Sequence, residues 1–190
     1  MSGAVAGEDG RLRCPWALSA PEYVDYHDRQ WGRPVADDRA MFERLTLEAF
    51  QAGLSWLIIL RKREGFRAAF DNFELATVAS YDGSDVERLL ADTGIVRNRA
   101  KIEAAIANAG AALELEGGLL AHVHRFAPGT QVDPPQRVGE VRSQSEESKA
   151  LAKDLRKRGF RFVGPTTMYA LMQATGMVDD HLADCWRRGH

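Results

Sequence analysis

The stretch LLADTGIVRNRAKI, residues 89–102, decides the fold of this chain. Apolar residues at helical spacing stand on both sides of a short segment, Thr93 to Arg97, that contains Gly94. This order predicts a helix, a tight glycine hairpin and a second helix, which is the helix–hairpin–helix layout. Such a hairpin and the N-terminus of the helix that follows it expose backbone N–H groups that bind phosphate.

The residues around Gly94 support this prediction. Ile95 and Val96 are expected to anchor the hairpin in the core. Arg97, Arg99 and Lys101 add positive charge beside it, which would make anion binding salt-dependent. Because the motif is short and degenerate, a glycine helix cap followed by an ordinary turn is the alternative.

The rest of the chain also has helical patterning, so the sequence predicts an all-α protein. Ser19 and Glu22 around Pro21 form a helix start signal. The apolar run 55–60 fits a buried strand as well as a helix, and we favour helix because no partner strands are visible. The predicted helices begin near residue 21 and cover approximately 37–53, 55–60, 73–80, 84–92, 98–115, 145–158 and 165–176, with a loop over 127–141.

Length and composition predict one soluble domain. A chain of 190 residues, 45% hydrophobic and 27% charged, is long enough to bury a core of its own. We expect a disordered leader over residues 1–12 and a single domain over 13–190. Two cysteines make no disulfide framework, which favours a cytoplasmic location, and no apolar run is long enough to span a membrane. With a net charge of −2, any surface that binds nucleic acid must be a local patch.

Two pairs of potential metal ligands lie at opposite ends of the chain and use both of its cysteines. Cys14 and His27 are near the N-terminus, and His181 and Cys185 are near the C-terminus. On a helix, the i, i+4 spacing of the second pair would place both side chains on one face. Two thiolates and two imidazoles complete a tetrahedral zinc site. Two buried free thiols and two ordinary histidines are the alternative.

Large aromatic side chains are concentrated in the first third of the chain, close to Glu48. The rings are Trp16, Tyr23, Tyr26, Trp31 and Trp56. Core packing explains such rings, and a solvated helix face explains the glutamate. A cluster of rings around an acid also forms a pocket for a flat, cationic ligand, because stacking and cation–π attraction hold its face while the carboxylate offsets its charge.

The segment QAGLSW, residues 51–56, predicts a turn between two apolar helices. Gly53 permits the turn, Ser55 is placed to cap the next helix, and Leu54 is placed to protrude. A protruding apolar side chain fills the gap that an extruded base leaves in a duplex. A core leucine beside a helix break is the alternative interpretation.

Taken together, these segments resemble the 3-methyladenine DNA glycosylase I family from about Arg13 to Cys185. The resemblance rests on ordered strings and not on scattered letters. They are Cys14-Pro15-Trp16, Tyr26-His27-Asp28, Trp31-Gly32, Leu47-Glu48, QAGLSW (51–56), Thr93-Gly94-Ile95 with Arg97, Lys101-Ile102, KRGF (157–160), FVG (162–164), MQA (172–174) and Asp180-His181.

The resemblance implies a single glycosylase domain with a helix–hairpin–helix motif that binds double-stranded DNA containing alkylated bases, in a monomeric enzyme. It implies one structural Zn²⁺ per chain that joins the N- and C-terminal segments through Cys14, His27, His181 and Cys185. It implies that Glu48 is the catalytic-site residue that recognises the base. It assigns the walls of the base pocket to Tyr26, Trp56, Trp16 and Trp31. It assigns contacts with DNA to Gly53, Leu54, Thr93, Gly94, Ile95, Arg97 and Lys101.

Four positions depart from the family pattern. Ala49 and Phe50 follow Glu48 where smaller or polar residues are usual, Ala170 replaces a typical serine, and Thr175 replaces another small residue. These changes bear on substrate preference. Two other functions stay open from the sequence: a zinc-stabilised helical module that binds DNA without catalysis, and a glycosylase for another damaged base.

Overall fold

The computed structural model describes residues 3–130 and 133–189, and over those residues the chain is mostly helical. The α-helices are α1 (Pro21–Arg29), α2 (Asp38–Gln51), α3 (Trp56–Arg61), α4 (Arg63–Ala69), α5 (Leu75–Ala79), α6 (Gly83–Ala91), α7 (Arg99–Leu113), α8 (Gly118–His124), α9 (Glu146–Lys157) and α10 (Pro165–Ala174). Short 3-10 turns cover Pro15–Leu18, Asp71–Phe73 and Val138–Glu140. The all-α prediction is therefore confirmed for the described residues.

Side-chain caps set several of the helix starts. The Asp37 carboxylate accepts the Ala40 N–H at the start of α2, and Asn98 accepts the Lys101 N–H at the start of α7. The expected cap at Ser19 is wrong: Ala20 is the residue before α1, and the Ser19 hydroxyl donates back to the Trp16 carbonyl instead.

Helix α2 is the centre of the core. The main core is rich in phenylalanine rings from α2, α4 and the turn that follows α4. Phe50 of α2 meets Phe66 of α4 edge to face, with ring centroids 4.8 Å apart. Leu171 and Met172 of α10 belong to the same cluster. The central helix is thus fixed on several sides, and it carries Glu48 in its last turns.

The hairpin between α6 and α7 covers residues 92–98 and packs against the start of α4. Ile95 is buried in the core, as expected. A side chain at Gly65 would collide with the Gly94 carbonyl, so the two backbones touch. Lys62 adds a hydrogen bond of 2.6 Å to the Thr93 carbonyl.

The two ends of the chain are ordered where the structure describes them. Val5–Ala6 (β1) and Leu12–Arg13 (β2) form a two-stranded antiparallel pair, and the Ala4 N–H donates to the Asp184 carboxylate. The expectation of a disordered leader over 1–12 is therefore wrong for residues 3–12, because the C-terminal segment supplies partners for it. Residues 1 and 2 lie outside the described residues.

Two helices and one turn differ from the sequence-based expectations. Helices α4 and α8 were not predicted: α4 starts inside a basic run, and α8 starts at a glycine pair without a side-chain cap. Residues 181–185 form turns and not a helix. The loop expected over 127–141 is interrupted by the Val138–Glu140 turn, and its residues 131 and 132 lie outside the described part. None of the helices in residues 3–130 and 133–189 has both the length and the apolar character that a membrane span requires.

Candidate functional site

A cavity of about 390 Å³ opens between α1, α2, α3, α10 and the C-terminal turns. This volume lies within the range of small-ligand sites. The four rings predicted to form a base pocket, Trp16, Tyr26, Trp31 and Trp56, all line it together with Glu48. The remaining lining residues are Cys14, Tyr23, Gln51, Val138, Val141, Ala170, Gln173, Asp180 and Leu182.

The rings pack against one another at the edges of the cavity. Trp16 and Trp31 meet edge to face with centroids 5.1 Å apart, and Trp16 meets Tyr23 in the same way at 5.6 Å. Tyr26 and Trp56 are tilted at 48° with centroids 5.4 Å apart. A ring held by another ring loses little further freedom when a flat ligand stacks on it, so the cavity is preorganised for such a ligand.

The lining of this cavity includes two acids, Asp180 and Glu48, and the side chain of Glu48 lies among apolar groups. The residue is 6% exposed. Burial raises the pKa of Glu48 to about 8, and the positive charge of Arg44 offsets part of that rise. Among the described residues none donates a hydrogen bond to the carboxylate. Its acceptor capacity is therefore available to a ligand, and a cationic ligand would favour its ionised form.

The loop after α2 is fastened from beneath by Lys101. The Lys101 ammonium donates to the carbonyls of Phe50 and Ala52 at 2.8 and 2.6 Å, and the Gln51 amide donates to the Leu54 carbonyl at 2.7 Å. Gly53 has a φ of 81°, which favours glycine. Leu54 is partly buried against the main core, so in this structure it is only partly available to another molecule.

The residues of the predicted phosphate-binding hairpin lie together at the start of α7. Arg97 is exposed, Thr93 accepts from Lys62, and the Gly94 N–H donates to the Asp92 carboxylate at 2.6 Å. Among the described residues none accepts a hydrogen bond from the backbone N–H of Val96 or Arg97. Lys101, expected to face DNA, instead points into the protein and binds the Phe50 and Ala52 carbonyls, and its contact with DNA stays a prediction.

The four predicted metal ligands meet, although they come from opposite ends of the chain. Their ligand atoms all lie within 4.8 Å of one another, and all four residues are buried. The Cys185 sulfur is 3.5 Å from His27 Nε2 and 3.6 Å from His181 Nδ1, and the Cys14 sulfur is 3.9 Å from His181 Nδ1. Zinc bonds of about 2.0–2.3 Å in a tetrahedron place ligand atoms roughly 3.3–3.8 Å apart, so the group fits a zinc ion.

Groups behind the ligands fix their orientation. His27 Nδ1 is 2.9 Å from an Asp28 carboxylate oxygen, which leaves Nε2 facing the cluster. Arg13 in turn donates to Asp28 at 2.7 Å. Gly32 is required at its position, because its φ is 76° and a Cβ there would lie 3.1 Å from His181 Nε2. These contacts hold the His27 and His181 imidazoles toward the cluster, as the partners of metal-bound histidines do.

The cavity and the metal site share a wall. Cys14 lines the cavity as well as the cluster. Trp31 meets the His181 ring at a centroid distance of 4.6 Å, and Trp16 meets the His27 ring at 5.3 Å. A metal that orders the two histidines would therefore also order two rings of the cavity.

Several residues of the cavity were absent from the predicted site. Asp180 accepts hydrogen bonds from the Tyr169 hydroxyl at 2.8 Å and from the Gln173 amide at 2.7 Å. Val138 and Val141 form an apolar wall from the segment expected to be loop. Asp180 belongs to the Asp180-His181 string of the resemblance but was not assigned to the pocket, and its hydrogen-bond partners lie 11 and 7 residues earlier in the chain.

The four departures from the family pattern lie in different environments. Ala170 lines the cavity, so the absence of a serine hydroxyl there changes its surface. Ala49 and Phe50 are buried, Phe50 in the main core, and neither lines the cavity. Thr175 is buried, and its hydroxyl donates to the Leu171 carbonyl at 2.7 Å, so it too lies outside the cavity.

Comparison with known proteins agrees with this geometry. Residues 16–188 match the family model described as methyladenine glycosylase. The chain is 44% identical over 177 residues to DNA-3-methyladenine glycosylase 1 of Escherichia coli, covering 91% of this chain and 95% of that protein. It is 43% identical over 178 residues to DNA-3-methyladenine glycosylase of Haemophilus influenzae, covering 91% and 96%.

The fold matches a crystal structure of a variant of 3-methyladenine DNA glycosylase I in complex with 3-methyladenine. The TM-score is 0.88 at 34% identity, and the match covers 94% of this chain and 98% of that one. These similarities define the class of protein: the chain is an enzyme, a DNA glycosylase. Within that class it belongs to the 3-methyladenine DNA glycosylase I family.

Proposed function

We propose that this enzyme hydrolyses the N-glycosidic bond of 3-methyladenine in double-stranded DNA, after the methylated base has swung out of the helix into the cavity. One observation carries the proposal: Glu48 is buried, with no hydrogen-bond donor among the described residues, in a cavity walled by aromatic rings. The relatives named for this activity, and the related structure in complex with 3-methyladenine, support the choice of base.

Glu48 selects the base by charge. Methylation at N3 gives adenine a positive charge while it is attached to the sugar, so the base departs as a neutral molecule and needs no general acid. The carboxylate pairs with the exocyclic edge of that cation, and the rings stack on its faces. An uncharged adenine gains no such attraction, because it has no positive charge to pair with the buried Glu48, whose pKa is about 8. We assign Glu48 to recognition and not to the activation of water.

The QAGLSW turn and the hairpin bring the duplex to the cavity. Leu54 fills the gap that the extruded base leaves, and the backbone N–H groups near Arg97 bind a phosphate. Both elements adjoin the start of α7, where Lys101 joins them. Extrusion costs a few kcal/mol and least for a damaged base, which adds to the selectivity that Glu48 supplies.

The buried cysteine–histidine group holds one Zn²⁺ ion in a structural role. Cys14, His27, His181 and Cys185 occupy all four positions of a tetrahedral zinc ion, so the metal supplies cross-linking of the chain ends and not activation of water. The ring contacts with His27 and His181 connect that cross-link to the cavity.

Release of free base from methylated duplex DNA is the decisive measurement. We expect the wild-type enzyme to release 3-methyladenine, and Glu48→Gln to bind the same DNA but release the base at least tenfold more slowly in single-turnover experiments. Tight binding of methylated DNA by the wild-type protein, without release of the base, would favour a non-catalytic DNA-binding module. A panel of defined lesions tests whether the enzyme is a glycosylase for another damaged base. Preferential release of another damaged base would refute the choice of 3-methyladenine.

A further inference from the structure

The cavity has a second acid that the proposed function leaves unused. Asp180 lines the cavity together with Glu48, and these two are the acids of its described lining. Asp180 is buried, and it reaches the cavity from the C-terminal turns, whereas Glu48 reaches it from α2. Burial of a carboxylate is costly unless its charge is compensated, so the partners of Asp180 decide what it can do.

Asp180 has only neutral partners. The Tyr169 hydroxyl and the Gln173 amide donate hydrogen bonds to it, and in the described part of the chain no lysine, arginine or histidine forms an ion pair with it. Glu43 shows the usual arrangement of a well-covered carboxylate, because Arg63 lies 2.6 Å from it. The negative charge of Asp180 is therefore left uncompensated at the wall of the cavity.

The two oxygens of Asp180 have different surroundings. Tyr169 and Gln173 both donate to Oδ2, at 2.8 and 2.7 Å. These two residues are one turn apart on α10, so one face of a helix fixes the carboxylate. Oδ1 receives no hydrogen bond from the described residues, and it is not fully enclosed, unlike the unpartnered indole N–H of Trp56. One oxygen is thus held by the protein, and the other is free to accept from a ligand.

Asp180 also borders a groove beside the cavity. Residues 133–136 with Glu140 and Arg142 line this groove, and Asp180 is the residue that its lining shares with that of the cavity. A water molecule in the groove can therefore reach the same carboxylate as a ligand in the cavity.

Excision moves positive charge from the base to the sugar. When the C1′–N9 bond breaks, its electron pair goes to N9, the base departs neutral, and positive charge develops on C1′ and O4′ of the deoxyribose. The oxygen of a water molecule then bonds to C1′, and one of its protons is released to solvent. Glu48, which pairs with the exocyclic edge in the proposed function, faces the end of the purine opposite to N9. Stabilisation of the sugar requires another negative group.

We propose that Asp180 is a catalytic residue at the sugar end of the cavity. Its carboxylate stabilises the positive charge on C1′, and its free oxygen accepts a hydrogen bond from the attacking water, which arrives through the groove. Tyr169 and Gln173 are positioning residues that hold the carboxylate. This inference rests on the proposed function, because it concerns the same excision. The two acids then have different roles: Glu48 selects the base, and Asp180 lowers the barrier to its loss.

Asp180→Asn tests the charge with little change of shape. The asparagine carbonyl can still accept from Tyr169 and Gln173, whereas its NH₂ group replaces the free oxygen. We expect single-turnover excision to be about 100-fold slower, while the affinity for free 3-methyladenine, measured by tryptophan fluorescence, stays within about twofold of the wild-type value because the lost interaction forms only in the transition state. The Tm should stay the same or rise, since an uncompensated buried charge has been removed.

Asp179→Asn is the matched control. Asp179 is the neighbouring acid in the same turn, it lies 3.3 Å from Arg188, and it does not line the cavity. Both variants adjoin His181, so any effect on the metal site is shared between them. The control is expected to excise at the wild-type rate. If Asp180→Asn excised as fast as Asp179→Asn, the proposal would be overturned.

Binding of abasic duplexes tests the charge on the sugar without any reaction. A duplex with a pyrrolidine in place of the sugar carries the positive charge of the transition state, and a duplex with tetrahydrofuran is its neutral counterpart. With free 3-methyladenine present, the wild-type enzyme should bind the cationic duplex about tenfold or more tightly than the neutral one. Asp180→Asn should lose this preference while it keeps its affinity for the neutral duplex, and Glu48→Gln should retain the preference. A preference that Asp180→Asn keeps, or that Glu48→Gln loses, would refute the role of Asp180.

These outcomes are separable from the proposed function. If the wild-type enzyme releases 3-methyladenine and Asp180→Asn releases it equally fast, only the role of Asp180 is refuted. If the wild-type enzyme releases no base from methylated duplex DNA, the proposed function and the role of Asp180 are refuted together.

Discussion

The Lys101 ammonium lies 2.6 Å from the Ala52 carbonyl oxygen, and so a side chain at the start of α7 closes the end of α2. The last carbonyl groups of a helix have no partner within the helix, and Lys101 supplies one while it also binds the Phe50 carbonyl. Glu48 lies one turn earlier on α2. Lys101 thereby joins the hairpin, which precedes it in sequence, to the helix end that carries the acid and to the turn that carries Leu54.

Lys101→Met is expected to slow base excision without weakening contact with phosphate. Methionine keeps most of the buried stem but cannot hold the two carbonyls, so the QAGLSW turn loses its fixed position. We expect the single-turnover excision rate to fall at least tenfold, since small displacements of positioning groups have such effects. The salt dependence of duplex binding should stay as in the wild-type enzyme.

Arg97→Ala is the matched variant for that experiment, because Arg97 is an exposed cation on the same hairpin. Its slope in the salt titration is expected to decrease by about 1, as for the loss of one phosphate contact. If Lys101→Met showed this decrease instead, Lys101 would contact DNA directly and its positioning role would be wrong.

Glu48→Gln is expected to stabilise the fold most at high pH. The pKa of Glu48 is about 8 in the folded protein, against an ordinary value of 4.5. Between these values the folded state holds a proton that the unfolded state has lost, so the wild-type protein loses stability as the pH rises from about 4.5 to about 8. Glutamine does not titrate, and the Tm of the variant should exceed that of the wild type by about 2 °C or more at pH 9.

The same comparison at pH 5 is the control, because Glu48 is then protonated in the folded protein and resembles glutamine. If the difference in Tm between variant and wild type were equal at pH 5 and pH 9, burial would not raise the pKa of Glu48. Together with slower excision, a higher Tm at high pH would mark Glu48 as a residue retained for function at the expense of stability.

Local sequence patterns predicted the helical framework and the polar ends of most helices. Asp37 and Asn98 precede helices that begin where their caps place them. The run 55–60 became α3, as favoured over a strand. Ser19 misled because Pro21 fixes the helix start, and the serine hydroxyl binds the preceding turn instead.

The ring cluster and the metal ligands were also visible in sequence, but their arrangement was not. His181 and Cys185 share a site without the helix that their spacing suggested, since turns bring the side chains together. Lys101 looked like a surface cation because its partners are carbonyls about fifty residues earlier in the chain. Val138 lines the cavity from a segment expected to be loop, and Asp180 is held there by hydrogen bonds with Tyr169 and Gln173 of α10. Helical periodicity predicts neither position.

Arg44→Met is expected to shift the pH dependence of excision upward. Arg44 is buried, its guanidinium lies 5.5 Å from the centre of the Tyr26 ring, and its positive charge lowers the pKa of Glu48. Without that charge the pKa rises above about 8, so the ionised form that pairs with the cationic base appears only at higher pH. The excision rate measured from pH 6 to pH 10 should reach its plateau later than in the wild type. If the pH profiles of the variant and the wild type were identical, ionisation of Glu48 would not determine the excision rate.

Asp28→Asn is expected to weaken metal binding while leaving all four ligands in place. Asp28 accepts from His27 and from Arg13, and it holds the imidazole so that Nε2 faces the cluster. Loss of a carboxylate that orients a metal-bound histidine typically reduces metal affinity about 10- to 100-fold. Elemental analysis should find one zinc per wild-type chain, and titration with a competing chelator should strip the variant first.

Zinc removal should lower the Tm and quench or shift tryptophan fluorescence, because Trp16 and Trp31 contact the histidine ligands. If the purified wild-type protein contained no zinc, the assignment of the four residues as zinc ligands would be wrong. Loss of zinc with unchanged tryptophan fluorescence would show that the metal site and the cavity are not coupled.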